Sequence, residues 1–271
     1  MKVALFVEGG QDVPPPRGDA PLFEIWNKTL PEALGLQRFD LIVPITKKHL
    51  IAMDPSKPPM SGAGEGLDQL MVRKGLDSTF HAALVAWDLV PAWNPQANLC
   101  RRQETLDLYR HLANSAVLPP SWRDQARQRW STLSARASGA VRGAPPRLRP
   151  GLVLPLCMVW MFESLLVGDQ AAARRAFGVE GQPVRGWPDG WGDPAQRRPD
   201  QDILAPAVRS VCELRPRPAA CPPIPKDLRR HKNDWGAWLL RALLDDPQAA
   251  DGVKQHPICA RLAEIAPAQR G

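Results

Sequence analysis

The sequence predicts an α/β fold: a mainly parallel sheet flanked by helices, with a helical and irregular C-terminal part. Short, mostly apolar runs at residues 3–7, 40–45, 82–87 and 152–160 have the length and composition of strands buried on both faces. Amphipathic segments of helical periodicity separate these runs. Strands that alternate with helices in this way form parallel sheets with right-handed crossovers.

Helical patterns are recognised by apolar side chains that recur every three or four residues. The segments are 19–30, 67–74, 100–115, 121–137, 161–177, 226–244 and 256–266. Residues 178–225 are instead rich in Gly, Pro, Trp and Arg and predict a long irregular insertion. We therefore expect an α/β core over residues 1–180, with a helical insertion at about 100–140, and an irregular and helical extension over 181–271.

The composition favours a phosphate-bearing partner. The 271 residues include 35 Lys and Arg against 28 Asp and Glu, a net charge of +7. Most of the excess is arginine, whose planar guanidinium pairs well with phosphate oxygens. High-GC coding bias, which also enriches proline and tryptophan, explains the same balance equally well, so both interpretations stay open.

The cysteines and the apolar runs predict a soluble, cytoplasmic protein. The five cysteines are odd in number and scattered, without a C-x-x-C pair, which favours a reducing compartment. The apolar run at the start meets Glu8 too early for a signal peptide. The longest apolar run, 151–160, is too short to span a bilayer, so no membrane partner is expected.

Three acidic residues follow predicted strands: Glu8 the first, Asp88 the third and Glu163 the fourth. Because the carboxyl ends of parallel strands open into one crevice, these carboxylates could meet there. Mg²⁺ takes oxygen ligands and retains waters, so two or three carboxylates beside a phosphate make a site. Acids at strand ends also cap helices or pair with arginines, and that structural interpretation stands beside the metal site.

Three segments resemble a known family. Val7-Glu8-Gly9, after an apolar strand, looks like the first motif of TOPRIM nucleases, and the segment from Ala83 to Asp88 looks like the strand of their second motif. Residues 154–166 resemble a later segment of an uncharacterised TOPRIM-like family of bacterial anti-phage and mobile-element loci, which commonly lie beside an ATPase gene. The resemblance covers about residues 1–180.

The resemblance implies Mg²⁺-dependent (or Mn²⁺-dependent) phosphodiester hydrolysis. Glu8 would act as general acid/base or metal ligand and Asp88 as a metal ligand; Glu163 is added as a candidate ligand by its position after the fourth predicted strand. TOPRIM proteins usually carry Asp-x-Asp at the second motif, whereas this chain has Asp88-Leu89-Val90. Either Glu163 or Asp169 substitutes for the missing acid, or catalysis is lost and the protein binds a partner ATPase or nucleic acid.

Two further basic features bear on nucleic-acid binding. The densest basic cluster, which would grip a nucleic-acid backbone, comprises Lys226, Arg229, Arg230 and Lys232. Four arginines, at positions 123, 127, 129 and 136, surround the predicted helix 121–137. A solvated helix end explains the basic cluster equally well, and a solvated helix surface is the favoured interpretation of the four arginines.

A glycine-rich stretch, Gly62 to Gly66, raises a third interpretation, a nucleotide-binding switch. It lacks the Gly-Lys-Ser/Thr ending of a P-loop and does not directly follow a strand, so it favours a flexible loop. The five histidines show no metal-ligand spacing and are expected to be ordinary polar residues.

Overall fold

A computed structural model of the chain describes residues 1–8, 27, 29–45, 49, 65–88, 101–136, 145–158, 210, 251 and 254–267. Within these ranges, the side chains of residues 88, 101–104, 157, 158 and 257 are outside the description. The helices predicted at 161–177 and 226–244 and the irregular insertion fall almost entirely outside the described residues. The boundary predicted at residue 180 falls there as well and stays a prediction.

Four parallel strands form the sheet: β1 Val3–Glu8, β2 Leu41–Ile45, β3 Ala82–Asp88 and β4 Val153–Met158. Their order is β2-β1-β3-β4. Val7 of β1 is paired with Pro44 on one side and with Ala86 on the other. The α/β class with a parallel sheet, predicted from the four apolar runs, is confirmed.

Burial explains which sequences became strands. All six residues of β1 are buried, as expected for a strand with neighbours on both sides and helices over both faces. Prolines occur in the two outer strands of the described sheet, Pro44 in β2 and Pro155 in β4. An outer strand tolerates proline because its missing N–H can face away from the ladder.

Five helices accompany the strands in the described ranges. They are α1 Leu30–Ala33, α2 Leu67–Arg73, α3 Arg101–Ala113, α4 Pro120–Ser134 and α5 Pro257–Ile265. The helix predicted over 19–30 is described only at its end, where Pro31 lies in the first turn of α1. A proline is tolerated there because the first helical N–H groups have no partner within the helix.

One face of the sheet packs against α2, α3 and α4. Phe6, Phe80 and Trp122 stack edge to face across this core, with ring centroids 5.7 and 6.1 Å apart. Trp122 Nε1 donates a 2.9 Å hydrogen bond to Asp77 Oδ1 in the turn before β3. Asp77 has a φ of 66°, which aspartate tolerates better than most residues. Its hydrogen bond with Trp122 holds this turn against α4.

Helices α1 and α5 pack against each other, and their buried leucines do not belong to that core. A crossover from β1 to β2 of the usual right hand places α1 on the opposite face of the sheet. The carbonyl oxygen of Ile265 accepts a 2.7 Å hydrogen bond from Leu148 N, and Lys254 Nζ lies 3.4 Å from a carboxylate oxygen of Glu32. The C-terminal helix thus packs with elements from the first 150 residues.

None of the helices in the described ranges combines the length and the apolar character that crossing a membrane would require.

The packing of α5 predicts a large cost for truncating its buried leucine. Leu262 is fully buried, so Leu262→Ala should lower the free energy of unfolding by about 2–5 kcal/mol, the range for buried leucines. The neighbouring exposed change Arg261→Ala should cost less than about 1 kcal/mol. Urea denaturation followed by circular dichroism measures both. Equal small effects would show that α5 contributes little to the core.

Candidate functional site

The order of the strands marks one place on the sheet as the candidate site. From β1 the chain moves to β2 on one side, and from β2 it crosses to β3 on the other side of β1. Such a reversal opens a crevice beyond the carboxyl ends of the two strands that flank it, and open α/β sheets bind ligands in this crevice. Here the flanking strands are β1 and β3.

Glu8 is the last residue of β1 and therefore lies at the carboxyl end of one of the two flanking strands. Side chains alternate along a strand, so Glu8 shares a face with Ala4 and Phe6, the face covered by α2, α3 and α4. Only 6 % of Glu8 is exposed. A buried carboxylate needs cations or hydrogen-bond donors to compensate for its lost hydration, and its oxygens are of the type that Mg²⁺ accepts as ligands.

Asp88 is the last residue of β3, the other strand at the crevice. Val7 pairs with Ala86, so Glu8 is level with Trp87 and Asp88 is one position further along the sheet. On its other side, Asp88 pairs with Met158 of β4. The two predicted acids therefore end adjacent strands, while the position of the Asp88 carboxylate lies outside the description.

The other predicted site residues are not described. They are Glu163, Asp169, Lys226, Arg229, Arg230 and Lys232. Within the described part of the chain, no three His, Cys, Asp or Glu side chains gather as a metal site would require. Mg²⁺ needs few protein ligands because phosphates and waters complete its shell. Glu8 fits one such position, and a second carboxylate would have to come from Asp88, Glu163 or Asp169.

Sequence reasoning missed a buried polar cluster that joins α2 to the α3–α4 connection. Asp68 Oδ1 lies 3.0 Å from His111 Nε2, and Asp68 Oδ2 accepts a 2.6 Å hydrogen bond from Ser115 Oγ. The Ser115 hydroxyl oxygen also accepts from the backbone N–H groups of Val117 and Leu118. The position of Asp68 in the first turn of a helix was the available signal.

The order of groups in this cluster indicates a structural role. In a serine hydrolase the histidine stands between serine and aspartate, whereas here Asp68 stands between His111 and Ser115. Burial alone would raise the pKa of Asp68, but the hydrogen bonds with His111 and Ser115 outweigh it and lower the pKa to about 2. Asp68 is therefore ionised, and its hydrogen bonds link α2 to α3 and to the α3–α4 connection.

A second pair of titratable groups lies at the start of α5. His256 Nδ1 accepts a 3.0 Å hydrogen bond from Ile258 N, and burial lowers the pKa of His256 to about 3. Burial also raises the pKa of the Cys259 thiol to about 11. His256 is a neutral cap of the helix, and Cys259 is an unreactive buried thiol.

No protein-family model, curated protein or solved structure matches this chain.

The hydrogen bonds of ionised Asp68 predict that the free energy of unfolding falls at acid pH. Its pKa of about 2 lies below the ordinary 3.8, so the stabilisation is present above pH 4 and is lost as the pH falls towards 2. The shift corresponds to about 2 kcal/mol. In Asp68→Asn this part of the pH dependence should vanish, whereas the exposed control Asp251→Asn should keep it. Urea unfolding at several pH values measures it, and parallel wild-type and Asp68→Asn profiles would contradict the assignment.

Proposed function

We propose that the protein is a TOPRIM-like, Mg²⁺-dependent nuclease of the cytoplasm that acts in prokaryotic defence against phage. One observation carries the proposal: Glu8 is a buried carboxylate at the end of β1, on the strand pair where the sheet order reverses. Asp88 ends the adjacent strand β3. The three segments that resemble TOPRIM motifs supply the reaction type, and the scattered cysteines favour the compartment.

Glu8 has two compatible tasks in this reaction. Hydrolysis adds water across a phosphodiester bond and leaves a phosphomonoester and a hydroxyl group. The Glu8 carboxylate would either bind the cation or take the proton from the attacking water. Bound Mg²⁺ would polarise the phosphoryl oxygen. Because Glu8 is buried, its charge acts at low dielectric, where each electrostatic contact is stronger than in water.

A second candidate function follows from the second motif. Asp88-Leu89-Val90 supplies one acid where TOPRIM enzymes have two. A site with too few carboxylates would hold a metal weakly and would not hydrolyse phosphodiesters. The protein would then be a catalytically silent subunit that binds a partner ATPase or nucleic acid through the same fold.

Glu8→Gln tests the nuclease proposal directly. The change keeps the side-chain size and removes the charge, so it should lower the rate of nucleic-acid cleavage by about 10²-fold or more. Cleavage of plasmid DNA, single-stranded DNA and RNA is measured with Mg²⁺ or Mn²⁺. The matched control is Glu32→Gln, which changes an exposed glutamate that pairs with Lys254, and it should cleave like the wild type. Full activity in Glu8→Gln would refute the proposal.

Metal binding separates the two candidate functions. Titration of the wild type with Mn²⁺ should show binding that weakens in Glu8→Gln and in Asp88→Asn. Binding of Mn²⁺ without cleavage of any substrate would favour the silent subunit. If Mn²⁺ does not bind to the wild type, the proposed metal site is refuted. Urea unfolding of each variant shows whether its fold is intact.

A further inference from the structure

One side of α4 carries arginines and an exposed tryptophan at helical spacing. Arg123, Arg127 and Trp130 lie at positions i, i+4 and i+7, so they form a single row, here called the Arg–Trp stripe. Trp122 and Ala126, which face the core, are adjacent to this row. Because the helix rises about 1.5 Å per residue, the stripe extends about 10 Å along α4.

Trp130 is a large aromatic side chain that is exposed on the surface of α4. Its exposed fraction is 38 %, and it is the one aromatic residue among the exposed large hydrophobic side chains of the described ranges. A single exposed apolar side chain is ordinary. An exposed indole beside arginines is more specific, because it offers a flat surface for stacking next to positive charge.

Neither arginine of the stripe has a strong ion pair within the described part of the chain. Arg127 pairs with Asp124 at 2.6 Å, but both side chains are more than half exposed, and such surface pairs give way readily to a competing anion. Arg123 pairs with no carboxylate in the described part of the chain, and its buried Nε has no hydrogen-bond partner. Arg129, whose buried Nε likewise has no hydrogen-bond partner, lies over the Tyr109 ring, 5.8 Å from its centroid, and serves the α3–α4 packing.

We infer that the Arg–Trp stripe binds single-stranded nucleic acid. Arg123 and Arg127 contact backbone phosphates, and Trp130 stacks on an unpaired base. The charges are complementary: residues 120–136 contain four arginines and one acidic residue, Asp124, in a protein of net charge +7. Duplex bases have both faces covered by neighbouring pairs, so stacking on Trp130 selects single strands. The inference adds a substrate form to the proposed nuclease, and binding itself requires no catalysis.

The experiment measures binding without cleavage. The full chain is titrated into labelled oligothymidylate in EDTA, and fluorescence anisotropy gives Kd over a series of NaCl concentrations. The single strand should bind more tightly than a duplex of equal length. Because EDTA excludes metal chemistry, the result is independent of Glu8, and failure of the nuclease proposal leaves it unaffected.

Three variants locate the binding surface. Trp130→Ala should weaken binding about tenfold, and Trp130→Phe should recover most of the loss because phenylalanine also stacks. The double variant Arg123→Gln with Arg127→Gln should reduce the slope of log Kd against log salt by about 1.4, the value for two lost phosphate contacts on a single strand. The matched control Arg261→Gln, which changes an exposed arginine in an i,i+3 pair with Glu264 on α5, should bind like the wild type.

Each other result overturns the inference. Absence of wild-type binding at low salt excludes a nucleic-acid surface, and equal affinity for duplex excludes the stacking role of Trp130. Unchanged binding by the stripe variants places the nucleic-acid contact elsewhere, for example at Lys226 to Lys232. Thermal unfolding by circular dichroism confirms that each variant retains the α3–α4 hairpin.

Discussion

The parallel pairing of β1 between β2 and β3 is the constraint on which the rest of the structure depends. A strand with backbone partners on both sides and helices over both faces has no exposed positions, so its six residues must all tolerate burial. A charged residue is acceptable only where the strand ends. Glu8 occupies that end, and the same strand order puts it where open parallel sheets have their ligand crevice. Burial of the strand and placement of the acid are therefore two results of one topology.

Much of the fold could be predicted because its signals are local. The predicted strand at 152–160 is confirmed over Val153–Met158 in the described residues, and the predicted helix at 121–137 is confirmed as Pro120–Ser134. The order of the strands was beyond sequence reasoning, since every parallel order satisfies the same local patterns. The position of α5 against α1 was missed for a similar reason, because contacts between segments more than 200 residues apart leave no periodic trace.

The site was predictable in part. Glu8 stood out because an acid directly ended a buried run, and its adjacency to the Asp88 position followed from the general convergence of strand ends. The Asp68 cluster was not predicted, because His111 and Ser115 are ordinary helix-surface types until tertiary packing brings a carboxylate between them. The Arg–Trp stripe was visible as four arginines around a helix, but only the structure separates Arg129, which packs on Tyr109, from Arg123 and Arg127.

The prolines in the outer strands affect how the described sheet can pair with a strand of another molecule. An incoming strand from a second molecule extends a sheet by hydrogen-bonding to the N–H and C=O groups along an open border. Pro44 and Pro155 have no N–H, so each of the two outer described strands has one donor fewer to offer to a further strand. Among the described strands, recruitment of partners by strand addition and growth into intermolecular fibrils are therefore disfavoured at β2 and at β4. Assembly with another protein is better served by the helices and loops.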